Sequence, residues 1–328
     1  MEECMAFPNS SISDLVATTI EYRSKTIADN VTAQNAVLTS LSDSGDAVLS
    51  GGTQIFEIFS FAENSNGGSY SGYDTLPTGT SDVISGANFP LQQYAVPITF
   101  SGRDELINSG PEALLNLVKA RVKVAEATMQ NLLNRHLYLD GTGNGGKNVT
   151  GLAAAVATSP TNVYGGINRS DAGSAFWKNK TWNATADGSG VATTSTIQAQ
   201  FTQAYLRTVR GKDKTKLIIA GASLYSTYEG SLQANLRYSD AKLANAGFTN
   251  IKFKDTPVVY EDAASGIAAT TGYFLNTDYL HWRTHADRNM VMLKDKQSIN
   301  QDATVRTLVW AGNLTCSGAK FQLVFTNT

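Results

Sequence analysis

The chain has 328 residues, 42% of them hydrophobic, enough to bury a sizeable core in one large domain or two smaller ones. Only 16% are charged and the formal net charge is −2, which excludes a dedicated nucleic-acid binder built on a basic excess. Thr, Ser, Asn, Ala and Gly make the surface polar but weakly charged, a composition that suits a surface largely covered by neighbours, because interface cores are depleted of charge.

Residues 11–42 carry Leu15, Ile20, Ile27 and Val31 at roughly helical spacing, then Val37, Leu38 and Leu41, and end at Ser44-Gly45. The stripe is thin, so this reads as an arm that docks on something else. Residues 53–61, TQIFEIFSF, predict a strand. Residues 92–101, QQYAVPITFS, predict another, with Tyr94, Val96, Ile98 and Phe100 on one face and Pro97 confining it to a sheet edge. Between the two lies a long Gly/Ser/Asn/Thr/Tyr stretch. The pair is read as a two-stranded ribbon, marginal alone and completed by a neighbouring chain.

Residues 109–138 are the strongest predicted helix. Ser109, Pro111 and Glu112 form its start signal. Leu114, Val118, Val122, Ala125, Met129 and Leu132 share one face, widened by Leu115, Leu133 and His136. Lys119, Lys123, Glu126, Gln130 and Asn134 form the expected solvated face. Further on, 196–210 and 222–238 predict helices, 216–220 (KLIIA) a buried strand, and 251–260 a hairpin turning at Lys254-Asp255. Tyr273–Leu275 and Tyr279–Thr284 predict strands, as does the chain from Met290 with a polar break at Asp295–Asp302. Helices and strands mix without regular βαβ alternation, so the fold class is α+β.

Several motifs approach known chemistry and stop short. Gly141–Asn148, GTGNGGKN, has the G-x-x-x-x-G-K spacing of a phosphate loop, but Asn148 stands where Ser or Thr would ligate magnesium, and a helix precedes rather than follows. Asp140, Thr142, Asn144 and Gly145 mimic a calcium loop whose twelfth position is Gly151 instead of Glu. His281 and His285 would share a strand face with no third ligand evident. Ser223 in GASLY lacks the closing glycine of a nucleophile elbow. The basic run Arg210–Lys216 reads as a solvated turn, and Cys4 and Cys316 as free thiols. No catalytic, cofactor-binding or metal-ligating residue is therefore assigned. The acidic N-terminus and the lack of a long apolar run predict a soluble protein made in the cytosol, without membrane contact.

The order of segments and some of their wording resemble the tailed-bacteriophage major capsid proteins with the Hong Kong 97-like fold. The stretches are Ser50-Gly51-Gly52, Ala62-Glu63-Asn64, Tyr70-Ser71-Gly72-Tyr73-Asp74, Ser101-Gly102, Asn108-Ser109-Gly110, Leu139-Asp140-Gly141-Thr142-Gly143-Asn144 and Gly151-Leu152, with Tyr273–Thr277, Asp287–Met290 and Gln301–Ala303 near the end. The resemblance implies an N-terminal arm (1–50), an extended loop (51–103), a peripheral domain (104–204) with spine helix 109–138, an axial domain (205–285), returning peripheral strands (286–311) and a C-terminal segment returning to the axial domain (312–328).

It also implies a non-enzymatic subunit of an icosahedral head. Hexamers and pentamers would enclose non-specifically contacted double-stranded DNA in the virion, assembled in the host bacterial cytoplasm. Partners would be further copies, a portal, a separate scaffolding protein and, where the shell carries one, a decoration protein. Some relatives weld their shells through a loop lysine; no lysine occurs here between Lys25 and Lys119, so a noncovalent shell is expected. Two other readings compete: an encapsulin-like cellular nanocompartment, and a secreted carbohydrate-binding or adhesion module.

Overall fold

The computed structural model describes residues 36–43, 48–49, 51–103, 117–232, 250–262, 265–294, 296–297 and 302–328. In chain order they form helix α1 (Ala36–Asp43), strands β1 (Val48–Leu49), β2 (Gln54–Ser60), β3 (Ile84–Pro90) and β4 (Gln92–Ser101), then helix α2 (Leu117–Leu137). Next come β5 (Val163–Tyr164), β6 (Ile167–Asn168), β7 (Lys180–Asn183), α3 (Ile197–Thr208), β8 (Leu217–Ala220) and α4 (Ala222–Ser231). The chain closes with β9 (Asn250–Phe253), β10 (Thr256–Tyr260), β11 (Thr271–Leu275), β12 (Leu280–His285), β13 (Val291–Met292), β14 (Lys296–Gln297), β15 (Ala303–Cys316) and β16 (Leu323–Thr326). Helices and mixed sheets make this an α+β protein, as the lack of βαβ alternation predicts.

The described residues fall into two compact units. The first comprises those of Gln93–Leu133 and Ala286–Ala311; the second, those of Asn35–Gln92, Asn134–His285 and Gly312–Thr328.

In the first unit, β4 pairs with β15 and with no other described strand, so it is an edge strand where the missing N–H of Pro97 is tolerated. β13 and β14 also pair with β15, antiparallel. Ile98 and Phe100 of β4 are buried with Ala125 of α2, with Val96, Val122 and Met292 packed around them. Tyr94 meets Trp310 edge-on at 5.7 Å. The predicted face of β4 and the predicted helical face thus point inward, with Ile98, Phe100, Ala125 and Met129 buried and Tyr94, Val96 and Val122 half-buried. The helix start signals at Ser109–Glu112 and most of the 11–42 segment lie outside the described residues, as do residues 233–238 of the predicted 222–238 helix.

In the second unit a six-stranded mixed sheet runs β7-β16-β11-β8-β10-β9. β8 and β10 pair in parallel, as do β7 and β16, and the remaining neighbours are antiparallel. Leu217 to Ala220 of β8 are all buried, as their unbroken apolar run requires. Phe201 of α3 sits at the centre of the core, stacked on Tyr228 at 5.0 Å and edge-on to Phe274 and Phe325 at 5.2 Å. β9 and β10 form the predicted hairpin, with Lys254 at φ 53° taking the left-handed turn position.

Two expectations are corrected. β2 pairs with β3, from Gln54 opposite Pro90 to Ser60 opposite Ile84, so the ribbon's second strand is ISGANFP and not the 92–101 stretch. Gly86, Asn88 and Pro90 depress strand propensity there, and only the partner strand reveals the pairing. Asn134 was placed on the solvated face of α2 and is buried, because from this residue on the helix belongs to the second unit, where Leu137 and Tyr138 are buried too.

Candidate functional site

The β2–β3 ribbon has two chemically distinct faces, both set by the strand period of two. Ile55, Glu57 and Phe59 alternate inward on β2, opposite Phe89, Ala87 and Ser85 of β3. Ile55, Ala87 and Phe89 are buried within the second unit. Phe59 stacks on Trp177 at 4.6 Å, and Phe89 meets Tyr164 edge-on at 5.1 Å. The backbone joins in: the Asn88 N–H donates to the Gly165 carbonyl at 2.9 Å. A Cβ on Gly165 would come within 2.7 Å of Ala87, and its φ is +60°, so both the close approach and the tight β5–β6 turn require glycine.

Glu57 is the one charge on this inward face, and it is fully engaged. Arg283 of β12 grips it with two hydrogen bonds, Nε to Oε1 at 2.8 Å and an Nη to Oε2 at 3.1 Å. The Thr315 hydroxyl of β15 donates to the same carboxylate at 2.7 Å. Burial pushes the Glu57 carboxyl up, but the hydrogen bonds from Arg283 and Thr315 and the Arg283 charge together outweigh it and hold the group below its ordinary value. Burial and the Arg283 charge push the neighbouring His281 down, favouring neutral imidazole. A bidentate buried pair of this kind fixes direction as well as distance. It clamps the ribbon root to β12 and β15.

The outward face is the opposite. Phe56, Ile58 and Ile84 stand 65%, 72% and 67% exposed. The Phe56 ring lies on Gly86, where a Cβ would sit 2.5 Å from it, so an open glycine seat holds the aromatic ring flat on the ribbon. Beyond the strands, Phe61 to Val83 continue into a tip braced from Asn66 to the Gly79 carbonyl and by a turn in which the Asp74 N–H donates to the Ser71 carbonyl at 3.0 Å. Tyr70, Tyr73 and Leu76 project from it, exposed. From residue 51 to residue 102 the sequence holds Glu57, Glu63, Asp74 and Asp82 and no Lys or Arg. The ribbon is therefore apolar on one side and acidic at its end.

The motifs that approach known chemistry take structural places. Gly141 to Gly146 form the turn after α2, with Gly141, Asn144, Gly145 and Gly146 all at positive φ. Asp140 accepts from the Thr142 N–H at 3.0 Å and its hydroxyl at 2.8 Å, and the Gly146 carbonyl accepts from Gln92 at 3.0 Å. His281 and His285 do share a face of β12, but Arg283 stands between them, and four residues of strand separate them by about 13 Å. One metal ion cannot span that distance. His281 instead lies 3.3 Å from the Ser317 hydroxyl. Ser223 is exposed in the first turn of α4. Arg210 and Asp213 close the turn between α3 and β8 with reciprocal backbone bonds. Burial pushes the Cys316 thiol up to about 12, so it is an inert core group; Cys4 lies outside the described residues. Among the described residues no three His, Cys, Asp or Glu side chains converge to hold a metal, and no described helix is long and apolar enough to cross a membrane.

The sequence reading missed Glu57, Arg283 and Thr315. One signal was available: Glu57 is the only charge in TQIFEIFSF, and a lone charge within an apolar strand needs a partner.

No protein-family model and no curated protein matches this sequence. Solved structures do match along nearly its whole length. The capsid asymmetric unit of cyanophage A-1(L) is 18% identical, with a TM-score of 0.67 over 92% of this chain and 95% of that one. The capsid of an empty GTA particle is 12% identical, with a TM-score of 0.62 over 97% and 98%. The capsid of Myoviridae phage XM1 is 15% identical, with a TM-score of 0.55 over 94% and 97%. With two faces of one ribbon, two compact units and these likenesses end to end, the chain has the fold of the tailed-phage major capsid proteins.

Proposed function

We propose that this chain is a structural shell subunit of an icosahedral phage head and not an enzyme. It assembles into hexamers and pentamers that enclose double-stranded DNA. The observation that carries the reading is the ribbon: a root clamped by Glu57–Arg283 holds out a face where Phe56, Ile58 and Ile84 are exposed. A contiguous exposed apolar patch on a ribbon whose other face is anchored marks an interaction surface. Ribbon on neighbour is a head-to-tail contact, which closes into rings under cyclic symmetry.

In this reading residues 1–50 are the arm, 51–103 the loop laid across an adjacent copy, 104–204 and 286–311 the peripheral domain, and 205–285 with 312–328 the axial domain around the ring axes. The scaffolding protein is separate, and the assembled shell meets a portal and, where the virion carries one, a decoration protein. The loop supplies no lysine, so the shell holds without covalent welding. Sedimentation and electron microscopy of the purified, expressed chain test the reading. Shells, tubes or sheets built of five- and six-membered rings are expected. A species that stays at 35.0 kDa at every concentration would overturn it.

A further inference from the structure

Where the ribbon strands pass into the tip lies a cavity of about 380 Å³, within the second unit. Its walls are the rings of Phe59, Phe61, Phe176 and Phe321, all half-buried, and its rim carries Arg210 and Lys320. Phe59 and Phe61 each sit under 6 Å from Phe176, and Phe321 is held by stacking on Tyr279 at 4.5 Å, so the walls are packed in place. Glu63 is the only acid on the rim, which leaves it net cationic. Neither Arg210 nor Lys320 forms an ion pair with a described residue. An aromatic socket with two cations at its mouth that pair with no described residue fits an aromatic side chain accompanied by an acid.

The same chain offers such a group. Tyr73 is fully exposed, at the apex of the Ser71–Asp74 turn, and Asp74 follows it. The Asp74 carboxylate accepts from the Ser71 N–H at 2.8 Å, which sets the turn and leaves its second oxygen outward. Apart from Glu63, which lies on the rim itself, the tip holds Asp74 and Asp82 and no cation, complementary to Arg210 and Lys320. A cavity near 380 Å³ falls in the range that takes a small ligand, enough for one phenol ring and the carboxylate behind it.

We infer that the cavity is a socket for Tyr73 and Asp74 of a second copy of this chain. The inference rests on the shell-subunit reading and names the contact through which one copy's ribbon tip locks onto its neighbour. The ring enters among the phenylalanines, and Arg210 and Lys320 face the acid.

The test is a cysteine pair, Tyr73→Cys with Ser317→Cys, in a Cys4→Ser background, oxidised after particles have formed. Particles whose chains run as a ladder of multiples of 35.0 kDa without reductant, and as one band with it, are expected. Intact particles whose chains stay at the single mass would overturn the socket while leaving the shell reading in place; a parent chain that forms no particles would overturn both. Should the cysteine pair itself block assembly, Tyr73→Ala answers the same question. That fully exposed side chain carries no fold, so the folded monomer should be unchanged while the assembled fraction falls several-fold. Tyr73→Phe should restore it, and Arg210→Glu with Lys320→Glu should reproduce the loss. Tyr73→Ala assembling like the parent would overturn the inference.

Discussion

Glu57→Gln removes one charge and almost no volume, and it strikes the joint on which the ribbon depends. The Arg283 guanidinium is 19% exposed and its carboxylate partner 8%, so the pair is shielded and little discount for solvent applies. In the variant the amide can still meet Thr315, but the guanidinium keeps its burial and loses its counter-charge and one of its two acceptors. Breaking a buried pair from one side costs about 3–5 kcal/mol; with Arg283 partly open, about 3 kcal/mol is expected. For a chain of this size that is a fall of about 4 °C in melting temperature. Urea denaturation of the unassembled chain measures it, and a cycle with Arg283→Met should show strong coupling. The pH dependence has a definite sign. The folded carboxyl lies below its ordinary value of 4.5, so the stabilisation is present above that pH and disappears as pH falls through the folded value. The gap between parent and variant should stay constant from neutrality to about pH 5 and close below it. A Glu57→Gln chain within about 0.5 kcal/mol of the parent at pH 7 would refute the clamp.

Phe201→Ala empties the centre of the second unit's core, where four aromatic rings meet, and should cost about 3–5 kcal/mol by denaturant midpoint. Val122→Asp puts a charge against Ile98 and Phe100 in the first unit and should lower stability by about 1–3 kcal/mol; an unchanged melting curve would mean that this helix face is misassigned. Particles boiled with reductant should run as one band near 35.0 kDa, since the loop has no lysine to weld; a covalent ladder would point to another crosslink, through Lys147 or Lys178 for instance.

What the sequence made legible was local. The 251–260 hairpin, the edge character of Pro97 and the buried KLIIA strand follow from residue period and turn chemistry alone. The ribbon's second strand was not legible, since ISGANFP has a glycine where Phe56 lies and an asparagine facing outward, and neither looks like a strand without its partner. The clamp was less legible still. Glu57 lies 226 residues from Arg283 and 258 from Thr315, and periodicity carries no information at that range. The burial of Asn134 shows the same limit, because a helical stripe marks one apolar face and says nothing of a second environment further along.

The central claim is that this chain builds a shell through its ribbon. A three-dimensional reconstruction of the particle, detailed enough to trace side chains, tests it most directly. Phe56, Ile58 and Ile84 should lie buried under an adjacent copy in every ring. The same face standing open to solvent in the assembled particle would contradict the account.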